Sequence, residues 1–149
     1  MNASPITLFT IGFAGHSARQ FFGKLAVAGV RTVVDVRLNN ISQLAGFAKR
    51  NDLEFFLGII AGIDYRHELC LAPPADMLDD YKKKRMGWAD YERLFNALLV
   101  ARRPADTLEP AAFDGACLLC SEHEADRCHR RLAAEYLQRE WSGVTIRHL

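Results

Sequence analysis

Residues 116–130 carry most of the chain's reactive groups: three of its four cysteines and two of its five histidines. A short apolar run, Ala116 to Cys120, breaks into Ser121-Glu122-His123-Glu124 and then Cys128-His129-Arg130. A buried strand leading through a loop to a helix N-terminus has this pattern, and α/β proteins often bind ligands there. Cys120 ends the apolar run. The helix dipole, Arg127, Arg130 and His129 would favour its thiolate. Rhodanese-like and phosphatase-like α/β enzymes use such a thiolate but place an arginine six residues later, where this chain has Asp126. A structural or ligand-contacting thiol is therefore the heavier reading, with Cys120 as nucleophile the sharper one. Cys117 and Cys120 form a C-x-x-C, but residues three apart on a strand face opposite sides. Cys117 is assigned to the core.

Other groups widen the choice of chemistry. Cys128 and His129 stand four residues before Leu132 and Ala133, so both could simply pack inward. Alternatively, Cys120, Glu122, Cys128 and His129, with His67, offer sulfur, imidazole and carboxylate to zinc or iron. The ligand spacing is not a standard one, and no cofactor is assigned. Asp35 lies in an apolar strand, where a carboxylate needs a partner or a shifted pKa. A structural acceptor outweighs a general base there. Arg37, Arg130 and Arg131 could meet an anion near helix N-termini, or Arg37 could pair with Glu122. Asn39, Asn40, Ser42 and Gln43 supply neutral donors and acceptors suited to a base or sugar edge, or to turn formation. Tyr81-Lys82-Lys83-Lys84-Arg85, with Trp88 and Tyr91, could hold a nucleic acid strand by charge and stacking. The ordinary alternative is a solvated helix face.

These groups need a scaffold. β-rich runs at 5–12, 30–37, 63–68, 116–120 and 144–148 read as strands. The second, Val30-Arg31-Thr32-Val33-Val34-Asp35-Val36-Arg37, has the apolar character of a central parallel strand. Ser17 and Gln20 form a capping box ahead of a helix that stops at Gly29. Asn51 and Glu54 suggest a second box before a helix ending at Gly62. Helices are also expected at 76–84, 88–102 and 124–140, the last proper from Cys128-His129-Arg130. Alternating strands and helices predict a single α/β domain over residues 1–149. It should have three layers, with a mostly parallel sheet of about five strands and helices on both faces. Gly12, Ser17, Asp35, Arg37, His67, Cys120 and His148 would then converge on the carboxyl edge.

The composition is compatible with this. The 149 residues are 50% hydrophobic and 25% charged, with formal net charge +1. No global field recruits nucleic acid or membrane, so any basic site must be local. No apolar run is long enough to span a bilayer. Met1-Asn2-Ala3-Ser4-Pro5 lacks a secretory pattern. A cytoplasmic protein with reduced thiols is expected.

Thr10-Ile11-Gly12, Ser17 with Phe21, Asp35-Val36-Arg37, Tyr65 with His67, Leu119-Cys120 with Glu122, Cys128-His129-Arg130 and His148-Leu149 together resemble the domain of unknown function 488 family. Residues 38–49 depart from the commoner family pattern, which carries proline and arginine after Asp-Val-Arg, and mark a distinct subgroup. The family has no settled activity, so the resemblance implies a fold and a site location. The leading expectation is a small anionic ligand, phosphorylated or nucleotide-like, at the carboxyl edge. Cys120 or Asp35 would react there with Glu122 and His129. Gly12, Ser17, Arg37, Asn39, Asn40, Ser42, Gln43, His67 and Arg130 would contact the ligand. The alternatives are a metal- or thiol-dependent enzyme or sensor using Cys120, Glu122, Cys128 and His129, and a non-catalytic nucleic-acid-binding module. Oligomeric state is not assigned.

Overall fold

The computed structural model describes residues 4–40 and 46–149. Its strands are β1 (Ile6–Gly12), β2 (Thr32–Asp35), β3 (Asp64–His67), β4 (Ala116–Cys120) and β5 (Val144–His148). Its α-helices are α1 (Ala18–Ala28), α2 (Arg50–Ala61), α3 (Ala75–Lys82), α4 (Trp88–Arg102) and α5 (His129–Glu140). The strands form one sheet in the order β3-β2-β4-β1-β5. Every pairing is parallel. All five strands therefore end at the same edge, as expected from their alternation with helices.

The two-residue period of a strand divides the core. Leu8, Val34, Leu118 and Cys120 face a layer containing Phe95, Leu99, Leu132 and Leu137 from α4 and α5. Phe9, Ile11, Val33, Cys117 and Leu119 face the other way, onto Phe21, Leu25, Leu53 and Leu57 from α1 and α2. Covering both faces is why β4 is buried along its whole length. Cys117 is fully enclosed, and burial pushes its thiol pKa far up.

Local signals set the helix ends, with two exceptions. The Ser17–Gln20 capping box forms in both directions, at 2.9 and 3.1 Å, and Gly29 closes α1 with φ 75°. The expected Asn51–Glu54 box does not form. α2 begins two residues earlier than that box implies, at Arg50, behind Lys49, which makes no side-chain cap. The last helix begins at His129, within the Cys128-His129-Arg130 stretch expected to open the helix proper, and residues 124–127 do not join it; Cys128 is its N-cap residue. The reason lies in Arg130, whose guanidinium binds the carbonyls of Glu122 and His123. Those carbonyls fold back toward the strand end instead of entering a helix. Among the described residues, no helix is long and apolar enough to cross a membrane.

Candidate functional site

β1 and β4 end side by side, with Gly12 opposite Cys120. A Cβ on Gly12 would lie 1.5 Å from the Glu122 carbonyl oxygen. Only glycine lets the 121–128 loop close over this strand end. Arg130 reaches the same spot from the first turn of α5 and is 1% exposed. Its Nη1 donates to Cys120 Sγ at 3.2 Å and to the Glu122 carbonyl at 2.5 Å. Its Nη2 donates to the His123 carbonyl at 3.1 Å, and Nε to Thr10 Oγ1 at 3.2 Å. Burial lowers its pKa, but a guanidinium stays charged.

The returning loop brings Cys128 to Cys120, and their sulfurs meet as in a disulfide. Their Cα atoms are 7.6 Å apart, whereas a disulfide ordinarily spans about 4.4–6.8 Å. The geometry suits two thiols converging on one point better than a staple of the fold. Cys70 and Cys117 have no disulfide contact, and the Cys120–Cys128 meeting departs from the expectation of four separate thiols. His129 lies beside the pair. One donor atom from each of Cys120, Cys128 and His129 falls within a 4.8 Å cluster. His129 Nε2 is 2.6 Å from the Val36 carbonyl. A carbonyl only accepts, so Nε2 carries the proton and Nδ1 the lone pair. Burial drives the imidazole pKa down to about 4, so the ring is neutral near pH 7.

Asp35 occupies a different environment. Its carboxylate is fully buried. It accepts from Arg37 Nε at 2.8 Å, Arg37 Nη2 at 2.7 Å and the Tyr65 hydroxyl at 2.6 Å. Burial, and then Asp35 itself, push the Tyr65 hydroxyl well above the usual phenol range. Asn40 donates to that hydroxyl at 3.1 Å, and His67 Nε2 donates to the Arg37 carbonyl at 2.7 Å. This network ties the ends of β2 and β3 together and matches the structural-acceptor reading of Asp35. Arg37 pairs with Asp35, which replaces the expected contact with Glu122. Arg37 Nη1 is buried and has no hydrogen-bond partner among the described residues.

A cleft of about 530 Å³ opens over these strand ends. Cys120, Cys128 and His129 line it on the sheet side, Arg37 and Asn39 on another, and Trp88, Tyr81 and Lys84 across from them. The far wall comes from α3 and α4, with Tyr81 against Tyr91 (4.9 Å between centroids) and Trp88 stacked on Tyr91 (5.4 Å). The basic run is divided. Lys83 and Arg85 pair with Asp79, and Arg85 also with Asp80. Lys82 and Lys84 line the cleft. Lys84 has φ 60°, a left-handed conformation costly for a side-chain-bearing residue and concentrated at functional sites.

The expected site residues thus fall into groups. Cys120, Glu122, His129, Arg37 and Asn39 share the cleft. Gly12, Ser17, Asn40, His67, Asp35 and Arg130 are committed to contacts within the fold, as described above. Arg131, expected to meet an anion, instead binds Glu92 at 2.7 Å and Glu135 at 3.1 Å. Glu122 is exposed and lies outside the sulfur–imidazole cluster, as does His67. Ser42 and Gln43 lie outside the described residues. The Cys120–Cys128 meeting was missed, and no local pattern encodes it. The aromatic wall corresponds to the Tyr81–Tyr91 segment, whose sequence pattern suits a solvated helix face more than a nucleic-acid surface and does not place it over the strand ends.

A three-layer all-parallel sheet with a cysteine- and arginine-lined cleft at its strand ends defines an α/β protein of the open-sheet class. Residues 17–137 match the family model described as Domain of unknown function DUF488, and the chain belongs to that family. No curated protein and no solved structure matches the chain.

Proposed function

We propose that the protein binds a small anionic ligand, phosphorylated or nucleotide-like, in the cleft at the carboxyl edge of the sheet. The observation that carries this reading is the charge of the lining. Arg37, Lys82, Lys84 and Arg127 stand there against one carboxylate, Glu122, in a chain whose net charge is only +1. Arg37 shares its charge with Asp35, yet its Nη1, without a partner among the described residues, is a buried donor that an anionic oxygen would satisfy. Trp88 and Tyr81 supply flat apolar faces for a planar group such as a base. Thiol chemistry on the bound ligand falls to Cys120, which lines the cleft, while the Asp35 carboxylate is fully engaged by Arg37 and Tyr65.

Isothermal titration of the protein with nucleotides and sugar phosphates at low ionic strength tests the proposal. Saturable binding is expected. Lys82→Ala with Lys84→Ala should weaken it about tenfold, or roughly 1.4 kcal/mol. The reading fails if no compound of either class binds, or if the double variant binds as tightly as the parent.

A further inference from the structure

We infer that Cys120, Cys128 and His129 form a zinc site with three protein ligands and a fourth position open to the cleft. Four observations converge on it. The three donor atoms lie within 4.8 Å of one another, and two thiolates with one imidazole suit zinc. Tetrahedral zinc with bonds of about 2.3 Å holds its two sulfurs roughly 3.8 Å apart. The 7.6 Å Cα separation of Cys120 and Cys128 favours that spread over a direct bond. His129 is already oriented: Nε2 donates to the Val36 carbonyl at 2.6 Å, so the Nδ1 lone pair is the one available to a metal. A fixed second-nitrogen hydrogen bond of this kind is the usual outer support of a metal-bound histidine.

The fourth observation is Arg130. Its guanidinium is 1% exposed, and its hydrogen-bond partners are Thr10, two backbone carbonyls and Cys120 Sγ. Among the described residues no carboxylate hydrogen-bonds it, although Glu122 and Glu124 lie near enough to act on its charge; of its direct partners, the Cys120 sulfur is the one able to carry a compensating negative charge. A disulfide carries none, whereas a metal-bound thiolate does. Binding balances simply: each thiol releases a proton to solvent and gives a sulfur lone pair to the metal. All three ligands line the cleft, so the open position faces whatever enters it. The inference does not depend on the anionic ligand.

The test is titration of reduced, chelator-stripped protein with cobalt(II) alone, followed by zinc. One equivalent of cobalt should produce intense sulfur-to-metal charge-transfer absorption and tetrahedral visible bands, and zinc should bleach both. Cys128→Ser should lose most of the charge-transfer intensity and bind at least tenfold more weakly. His129→Gln should bind about tenfold more weakly, and Cys70→Ser should match the parent. Circular dichroism shows which variants are folded, and the parent titration stands even if one is not. Absence of the charge-transfer band in reduced parent protein with excess cobalt overturns the site. So does its survival in both Cys120→Ser and Cys128→Ser. Because no phosphorylated compound is present, failure here leaves the ligand-binding proposal to its own titration.

Discussion

Arg130 places a permanent positive charge 3.2 Å from Cys120 Sγ. In reduced protein a guanidinium at that distance favours the Cys120 thiolate and should raise its reactivity. Cys70 should differ, because burial and then Glu68 push its thiol up. Alkylation of reduced protein near neutral pH, followed by peptide mass mapping, should modify Cys120 faster than Cys70. Arg130→Gln should slow Cys120 alkylation; an unchanged rate would show that the guanidinium has no hold on the sulfur. His129 gives a second prediction. Its pKa of about 4 in the fold lies below the ordinary 6.5, so the unfolded chain takes up the proton first. Stability is then complete above about pH 6.5 and declines as pH falls toward 4, by up to about 3 kcal/mol. Urea melts of reduced protein in chelator across that window should show the decline, and His129→Gln should flatten it. The residue types around this site were legible in the sequence, including the thiolate-favouring arginine and the cysteine and histidine that open the last helix. The meeting of Cys120 with Cys128 was not, because it depends on Arg130 drawing two loop carbonyls inward.

At the scale of elements, the signals that worked were those confined to one turn or one strand. Ser17 caps α1 because its hydroxyl and the Gln20 side chain exchange hydrogen bonds locally. Ser17→Ala should cost about 1 kcal/mol, read from the shift in denaturant midpoint, without moving any group in the cleft. The Asn51–Glu54 pattern failed because α2 was already under way at Arg50. Asp35 joins elements rather than forming one. Its carboxylate links β2, through Arg37, to Tyr65 on β3. Asp35→Asn leaves a buried guanidinium uncompensated and should cost about 3–5 kcal/mol. A loss under 1 kcal/mol would mean that the pair contributes little to holding the strand ends.

Across the whole molecule, the parallel sheet and its two covered faces followed from the alternation of strands and helices. The placement of α3 and α4 over the strand ends did not, since it is set by packing of Tyr91, Phe95 and Leu99 against the sheet and α5. That packing turns a basic aromatic segment into one wall of a cleft. Net charge of +1 means that ligand affinity should draw on nearby cations alone. Binding should therefore weaken with salt only as far as contacts within a Debye length, about 10 Å at 0.1 M, require. Affinity compared at 20 and 200 mM salt should change modestly in the parent and less in Lys82→Ala with Lys84→Ala, where Arg37 and Arg127 remain.

The strand order has a consequence for synthesis. β1 lies between β4 and β5, so the first strand made is flanked by the last two. During translation its backbone donors and acceptors must wait for most of the chain before either side is paired. The nascent protein carries an apolar, unpaired strand throughout, a template for mispairing. Non-local pairing of this kind also slows folding. Sensitivity to crowding of unfinished chains is thus written into the same topology that gathers the cysteines, histidine and arginine at one edge.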